Sequence, residues 1–155
     1  MEPKTKVYAE EGKQEIEITR EFDLPVELLF KAYEDPEIVA QWMGTKVLKL
    51  ESRKHGSYQF ETIDDQGKVV FRANGTIHEF SLNRKITRTF EMETANFGVQ
   101  LELLEFEEFT GNTSKLSIHT IYESVAHRDR NLQLPFAQGL NMAHNRLQDI
   151  VSKLM

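Results

Sequence analysis

The sequence predicts an α+β fold: a curved antiparallel sheet of about six to seven strands wrapped around one long C-terminal helix. Three observations carry that prediction. After residue 45, apolar and polar side chains alternate through six consecutive segments joined by short turns. Ahead of them, one alternating segment runs directly into two short helical signatures. At the end, Phe136, Leu140, Ala143, Leu147, Ile150 and Leu154 step by 4, 3, 4, 3 and 4 residues, an apolar stripe along a helix.

Residues 1–12 are polar, charged and without period, and are expected to form a mobile tail before a single domain over residues 13–155. From Gln14 to Phe22 the pattern turns to alternation, with Ile16, Ile18 and Phe22 against Glu15, Glu17 and Glu21. Pro25 then suits the first turn of a helix, where a missing N–H costs nothing, and Glu27 suits its positive end. Val26, Leu29, Phe30 and Tyr33 share one face of that helix. Asp35-Pro36-Glu37 repeats the start signal, and the second helix, with Ile38, Val39, Trp42 and Met43, stops at Gly44.

Strands are expected near 46–52, 57–63, 68–80, 84–94, 98–109 and 114–123. The turns "DDQG", "SLNR", "ETANFG" and "FTGNTS" hold the Gly, Asn and Asp that hairpins need. Their short lengths imply that consecutive strands pair antiparallel. Within 98–109, Val99, Leu101 and Leu103 hold one phase and Leu104 and Phe106 the other, so a bulge near Leu103–Leu104 is expected. Residues 123–134 read as a loop with a helical turn, and Pro135 as the place where the long helix begins.

Composition narrows the function classes. A chain of 155 residues is long enough to bury roughly 70% of its unfolded surface in one domain. The net charge of −6, with no Lys/Arg cluster, argues against nucleic acid as a partner. No apolar run has the length of a membrane span, and the charged start does not read as a signal peptide. The absence of cysteine excludes thiolate chemistry and fits a cytoplasmic protein, expected to be a monomer or weak dimer. His55, His78, His119, His127 and His144 show no metal-ligand spacing, and neither a G-x-S-x-G elbow nor a Gly-rich phosphate loop occurs. No metal or cofactor is therefore expected.

Charges in apolar register are the anomaly. Arg20 is in phase with Ile16 and Ile18, Arg88 with Ile86, Phe90 and Met92, and Glu79 with Phe71, Ala73 and Ile77. Either such side chains reach water at strand ends or pair with one another, or Arg88 and Glu79 line a cavity and orient a polar ligand head. His119 falls in the opposite phase to Leu116, Ile118 and Tyr122, which places it on the outer face. His144 borders the apolar stripe of the last helix.

Several local motifs resemble one superfamily. "ITREFDLPVELLFKAYEDPEIVAQWMG" resembles the opening strand, helix start and "tdPe…WwG" segment of the START-like, helix-grip (SRPBCC) proteins, in the branch named after the activator of heat-shock protein 90 ATPase. "HGSYQF" is similar to its Gly-Gly-x-Tyr strand start, "NGTIHEFSLNRKITRTF" to its central hairpin, and "GLNMAHNRL" to its Gly-Trp…Leu helix. Met43, His55 and Leu140 depart from that pattern, at positions that affect packing and cavity shape. The resemblance implies a helix-grip fold with an apolar cavity between sheet and C-terminal helix. It implies no catalytic residue set.

On that expectation the cavity candidates are Trp42, Tyr58, Phe60, Phe71, Glu79, Arg88, Phe90, Phe106, Phe136, Leu140 and His144. The implied function is non-enzymatic binding of a hydrophobic small molecule such as a lipid, polyketide or aromatic metabolite. Stimulation of a heat-shock chaperone ATPase is an alternative, although the eukaryotic activator carries a further N-terminal domain for which this chain has no room. A cyclase- or hydrolase-type enzyme is another, with Glu79, Arg88 and His144 as its candidates.

Overall fold

Alternation in the first long strand decides which way the sheet faces. Ile16, Ile18, Arg20 and Phe22 are buried, while Glu15, Glu17 and Glu21 point to water. A computed structural model describes residues 4–95, 98–133 and 135–154. In chain order the elements are β1 (Lys6–Tyr8), β2 (Glu15–Phe22), α1 (Val26–Glu34), α2 (Pro36–Met43), β3 (Lys46–Leu50) and β4 (Ser57–Ile63). They continue with β5 (Val69–Ser81), β6 (Lys85–Met92), β7 (Val99–Thr110), β8 (Thr113–Ile121), α3 (Val125–Leu132) and α4 (Phe136–Ser152).

The strands form one antiparallel sheet of eight in the order β1-β2-β8-β7-β6-β5-β4-β3. Strands β3 to β8 pair as a meander, as the short turns require, and β2 closes against β8. The fold is the expected α+β helix-grip architecture, with a slightly higher strand count. The added strand lies in the stretch expected to be a tail, where Lys6, Val7 and Tyr8 pair with Thr19, Ile18 and Glu17. Three residues with one apolar side chain between two others give too little periodicity to announce a strand. Their pairing depends on the free edge that β2 offers.

Helix ends follow their local chemistry. Asp35 Oδ1 accepts from Glu37 N at 2.9 Å, Pro36 opens α2, and Gly44 ends it at φ 66°. Where a loop with a helical turn was expected, α3 is a full helix whose start is capped by Ser124, its Oγ accepting from His127 N at 3.1 Å. Few apolar residues mark it, because it is held by polar groups such as buried Asn131 and Arg128.

The core lies between the inner face of the sheet and helices α1, α2 and α4. Phe30 packs edge-on against Phe80 and Phe106, with ring centroids 5.4 and 4.9 Å away. Leu147 and Val151 of α4 are fully buried, whereas Phe136, Leu140, Ala143 and Ile150 are half-buried and Leu154 is exposed beyond the helix. Among the described residues no helix is long and apolar enough to cross a membrane.

The bulge expected near Leu103–Leu104 is absent, since β7 keeps an unbroken register there with both neighbours. Gln100, Glu102, Leu104 and Phe106 face inward in constant phase, and Leu101 and Leu103 sit half-buried on the outer face. The change in apolar phase therefore marks polar side chains facing inward, with no kink in the chain. A bulge does occur in β5, where Ile77 faces Arg88 but Glu79 faces Thr87. It shifts the phase by one residue, giving the inward seat to Phe80 and turning Glu79 out.

Candidate functional site

Between the sheet and the first half of α4 lies a cavity of about 520 Å³. Trp42 and Met43 of α2 close one side, with Tyr33 of α1 beside them. Phe136, Leu140 and Ala143 form the roof, and Ile18, Ile118, Phe90 and Met92 form apolar parts of the sheet wall. Trp42 is held by its indole Nε1, which donates to Ala32 O at 2.7 Å, and by Tyr33, 5.2 Å away between centroids. Arg146 Nε donates to Trp42 O at 3.0 Å, tying α4 to α2. Trp42 is thus both packed core and cavity wall. Gly139 keeps the roof thin: a Cβ built there meets nothing within 4 Å.

The floor is polar. Arg88, Glu102 and Thr120 are direct cross-strand neighbours on β6, β7 and β8, and all three line the cavity. Arg88 Nε donates to Glu102 Oε1 at 2.9 Å, and Gln100 Nε2 donates to Glu102 Oε2 at 2.8 Å. The guanidinium lies over the rings of Tyr58 and Tyr33, 5.1 and 6.0 Å from their centroids. Burial opposes its charge, but the attraction and hydrogen bond of the Glu102 carboxylate favour it, and the Arg88 pKa lies above its ordinary value. Burial is also the main reason that the phenols of Tyr33 and Tyr58 are pushed upward, so both stay neutral. Asn131 of α3 completes the rim, its Nδ2 donating to Tyr122 Oη at 2.7 Å.

Of the residues expected at a cavity, Trp42, Arg88, Phe90, Phe136 and Leu140 line it. Tyr58 lies one layer below, its hydroxyl donating to Thr89 O across the β5 backbone at Gly75. Any Cβ at Gly75 would stand 2.4 Å from that phenol, which is why a glycine is needed there. Phe60 and Phe106 are plain core, and Phe71 packs half-buried against the core. Glu79 is a correction: turned outward by the β5 bulge, it pairs with Lys85 at 3.2 Å and accepts from Thr87. Its carboxyl is held below the usual range chiefly by the hydrogen bonds from Lys85 and Thr87.

His144 is also displaced from the cavity. It is fully buried, and its Nδ1 lies 2.6 Å from Thr5 Oγ1. Asn141 Oδ1 accepts from Thr5 N and from Arg20 Nη1, so β2, α4 and the segment before β1 meet in one polar cluster. Burial and the nearby Arg20 charge lower the His144 pKa to about 3, which keeps the ring neutral. As expected from its phase, His119 lies on the outer face, 3.3 Å from Glu15. Among the described residues no group of three His, Asp or Glu side chains could hold a metal ion.

Comparison with known proteins places this geometry. The family model described as "Activator of Hsp90 ATPase homolog 1-like protein" matches residues 23–152. The chain belongs to that family. Solved structures of similar fold include a protein from Rhodobacter sphaeroides, at TM-score 0.85 and 17% identity, covering 96% of this chain and 99% of that one. A protein from Mycobacterium smegmatis aligns at TM-score 0.83 and 18% identity, covering 96% of each chain. One from Arthrobacter aurescens aligns at TM-score 0.83 and 16% identity, covering 96% of this chain and 91% of that one. At such identities the likeness is one of fold. No curated protein matches the sequence.

In this member of the Hsp90 ATPase activator homologue family, the polar floor is what sequence reasoning passed over. Gln100, Glu102, Thr120 and Asn131 were not among the expected cavity residues. Two signals pointed to the first three. The apolar phase of 98–109 changes where Gln100 and Glu102 face inward, and Thr120 shares the phase of Leu116, Ile118 and Tyr122. Asn131 gave no signal, because the helix carrying it has almost no apolar period.

Proposed function

We propose that this protein binds a hydrophobic small molecule in the cavity between its sheet and α4, without chemical turnover. The observation that carries the reading is the 520 Å³ cavity itself, within the range of drug-sized ligand sites and walled mainly by apolar side chains. Burial of the ligand's apolar surface supplies the affinity, and the few polar groups of the floor orient it. Glu79, Arg88 and His144 do not converge, since the Glu79 side chain is on the outer face of the sheet and His144 faces Thr5. That separation favours binding over an enzymatic role for the three.

The test is fluorescence of N-phenyl-1-naphthylamine, a neutral apolar dye that brightens in dry surroundings. Saturable brightening by the wild-type protein, lost when Gly139→Leu fills the roof gap, is the expected result. An absence of brightening, or brightening unaffected by Gly139→Leu, removes the cavity as the binding site. Membership of the family favours a second reading, stimulation of a chaperone ATPase. It is tested by ATP turnover of the chaperone with and without the purified chain.

A further inference from the structure

We propose that the cavity selects for an uncharged amphipathic ligand, one with an apolar body and a carbonyl, amide or hydroxyl edge, and selects against carboxylates, phosphates and sulfates. The inference rests on the binding reading above and adds to it the chemical class of ligand.

The argument begins with the charge balance of the lining. Among the described residues that line the cavity, only Arg88, Glu102 and Tyr33 are titratable. Arg88 and Glu102 cancel, and Tyr33 is a neutral phenol because burial disfavours its anion. A ligand anion would approach Arg88 but would meet the Glu102 carboxylate paired to it. The site would then hold two negative charges against one positive in surroundings that screen poorly, a state disfavoured by desolvation and repulsion. A neutral polar group leaves the ion pair intact.

Hydrogen-bonding capacity then argues against a pure hydrocarbon. Arg88 uses Nε for Glu102, while its two terminal amino groups make no hydrogen bond among the described residues. The bond from Nε to Glu102 and the cation–π contacts with the Tyr58 and Tyr33 rings hold the guanidinium in place before anything binds. Thr120 is 2% exposed and its hydroxyl also makes no hydrogen bond among the described residues, although the residue lines the cavity. A carbonyl or amide oxygen accepts from Arg88 in a charge-assisted bond, and an N–H or O–H donates to Thr120 or Glu102. A hydrocarbon would dry these groups and leave them unpaired.

The row also has a direction. Adjacent strand backbones lie about 4.8 Å apart, and Arg88, Glu102 and Thr120, as direct cross-strand neighbours, form one row of polar side chains across the strands. Above the row, α4 contributes Phe136, Leu140 and Ala143, which offer nothing polar, while Asn131 of α3 stands at the rim and already donates to Tyr122. The preferred ligand therefore lies across the strands with its polar edge down and its apolar face against α4.

Three naphthalene probes of equal ring size test the inference at neutral pH, by displacement of N-phenyl-1-naphthylamine from the full chain. They are 2-naphthamide, 2-naphthoate and 2-methylnaphthalene. The expected result is that the amide binds at least tenfold tighter than either other probe. Glu102→Gln, which unbalances Arg88, should shift the ratio of amide to naphthoate affinity toward naphthoate. Thr120→Val should weaken the amide and leave 2-methylnaphthalene unchanged. Naphthoate binding as tightly as the amide overturns the charge argument, and 2-methylnaphthalene doing so overturns the hydrogen-bond argument. Should Glu102→Gln fail to fold, the wild-type ranking decides alone. If the dye binds but the ranking fails, only this inference falls; if the dye does not bind, the binding reading falls with it.

Discussion

Two neighbouring rows of side chains cross the inner face of the sheet, one pleat apart, and they are covered in opposite ways. Phe80, Ile86 and Leu104 form an apolar row on β5, β6 and β7, and α1 presses Phe30 onto it. Arg88, Glu102 and Thr120 form a polar row on β6, β7 and β8, and above it the first half of α4 carries Gly139, Leu140 and Ala143. The sheet is continuous through both rows. Whether this grip is solid or hollow is decided by the volume its helices send down, and by whether the strand row beneath needs dry cover or a polar partner.

The sharpest way to break the contrast is to hollow the solid half. Phe30→Ala removes a fully buried ring from between Phe80 and Phe106 and should cost about 3–5 kcal/mol in denaturant unfolding. A loss below about 1 kcal/mol would mean that α1 is not the plug described.

The seam between the halves is tested by pH through His144, whose ring lies 5.7 Å from Phe22 and 6.4 Å from Trp42. Its folded pKa of about 3 is below its ordinary value of 6.5, so between those limits the unfolded chain binds more protons. Stability from this group is thus complete above about pH 6.5 and is lost as pH falls toward 3. Between neutral pH and about pH 4.5 the wild type should lose on the order of 2 kcal/mol more than His144→Gln. Equal losses in thermal or denaturant unfolding at the two pH values would show that protonation of His144 is not opposed by the fold.

Smaller effects are expected on the hollow side. Gly139→Leu removes a helix-interior glycine and places a side chain where a Cβ has room, so it should stabilise by about 1 kcal/mol while abolishing dye binding. Destabilisation there would mean that the roof is already closed. Leu140→Ala should cost less than about 2 kcal/mol, below the usual range for a packed leucine, because Leu140 borders open space on one side.

The same contrast explains what could be read from the sequence. The solid half was legible because close packing demands apolar residues at fixed periods, as in Leu29-Phe30 and in Leu104 with Phe106. The α2 boundaries were legible because Asp35, Pro36 and Gly44 each meet a backbone requirement at a helix end. The hollow half broke the pattern. Gln100 and Glu102 face inward as polar residues, so the strand imitated a bulged one, and the true bulge at Ile77–Glu79 left no compositional trace. Strand β1 and helix α3 were missed because partners fix them, an open strand edge for one and polar contacts for the other.

The order of pairing has a consequence in time. Strand β2 is synthesised early but, apart from β1, its partner is β8, with Glu15 facing Ile121. Contacts so distant in the chain form slowly, because loop closure must precede any reward from pairing. Helix α4 follows β8 and supplies the roof. A nascent chain that has completed the β6–β7 hairpin therefore carries Arg88 and Glu102 on an open, wet surface, and the cavity comes into existence only as α4 docks. Docking of α4 is the step at which this protein acquires an inside.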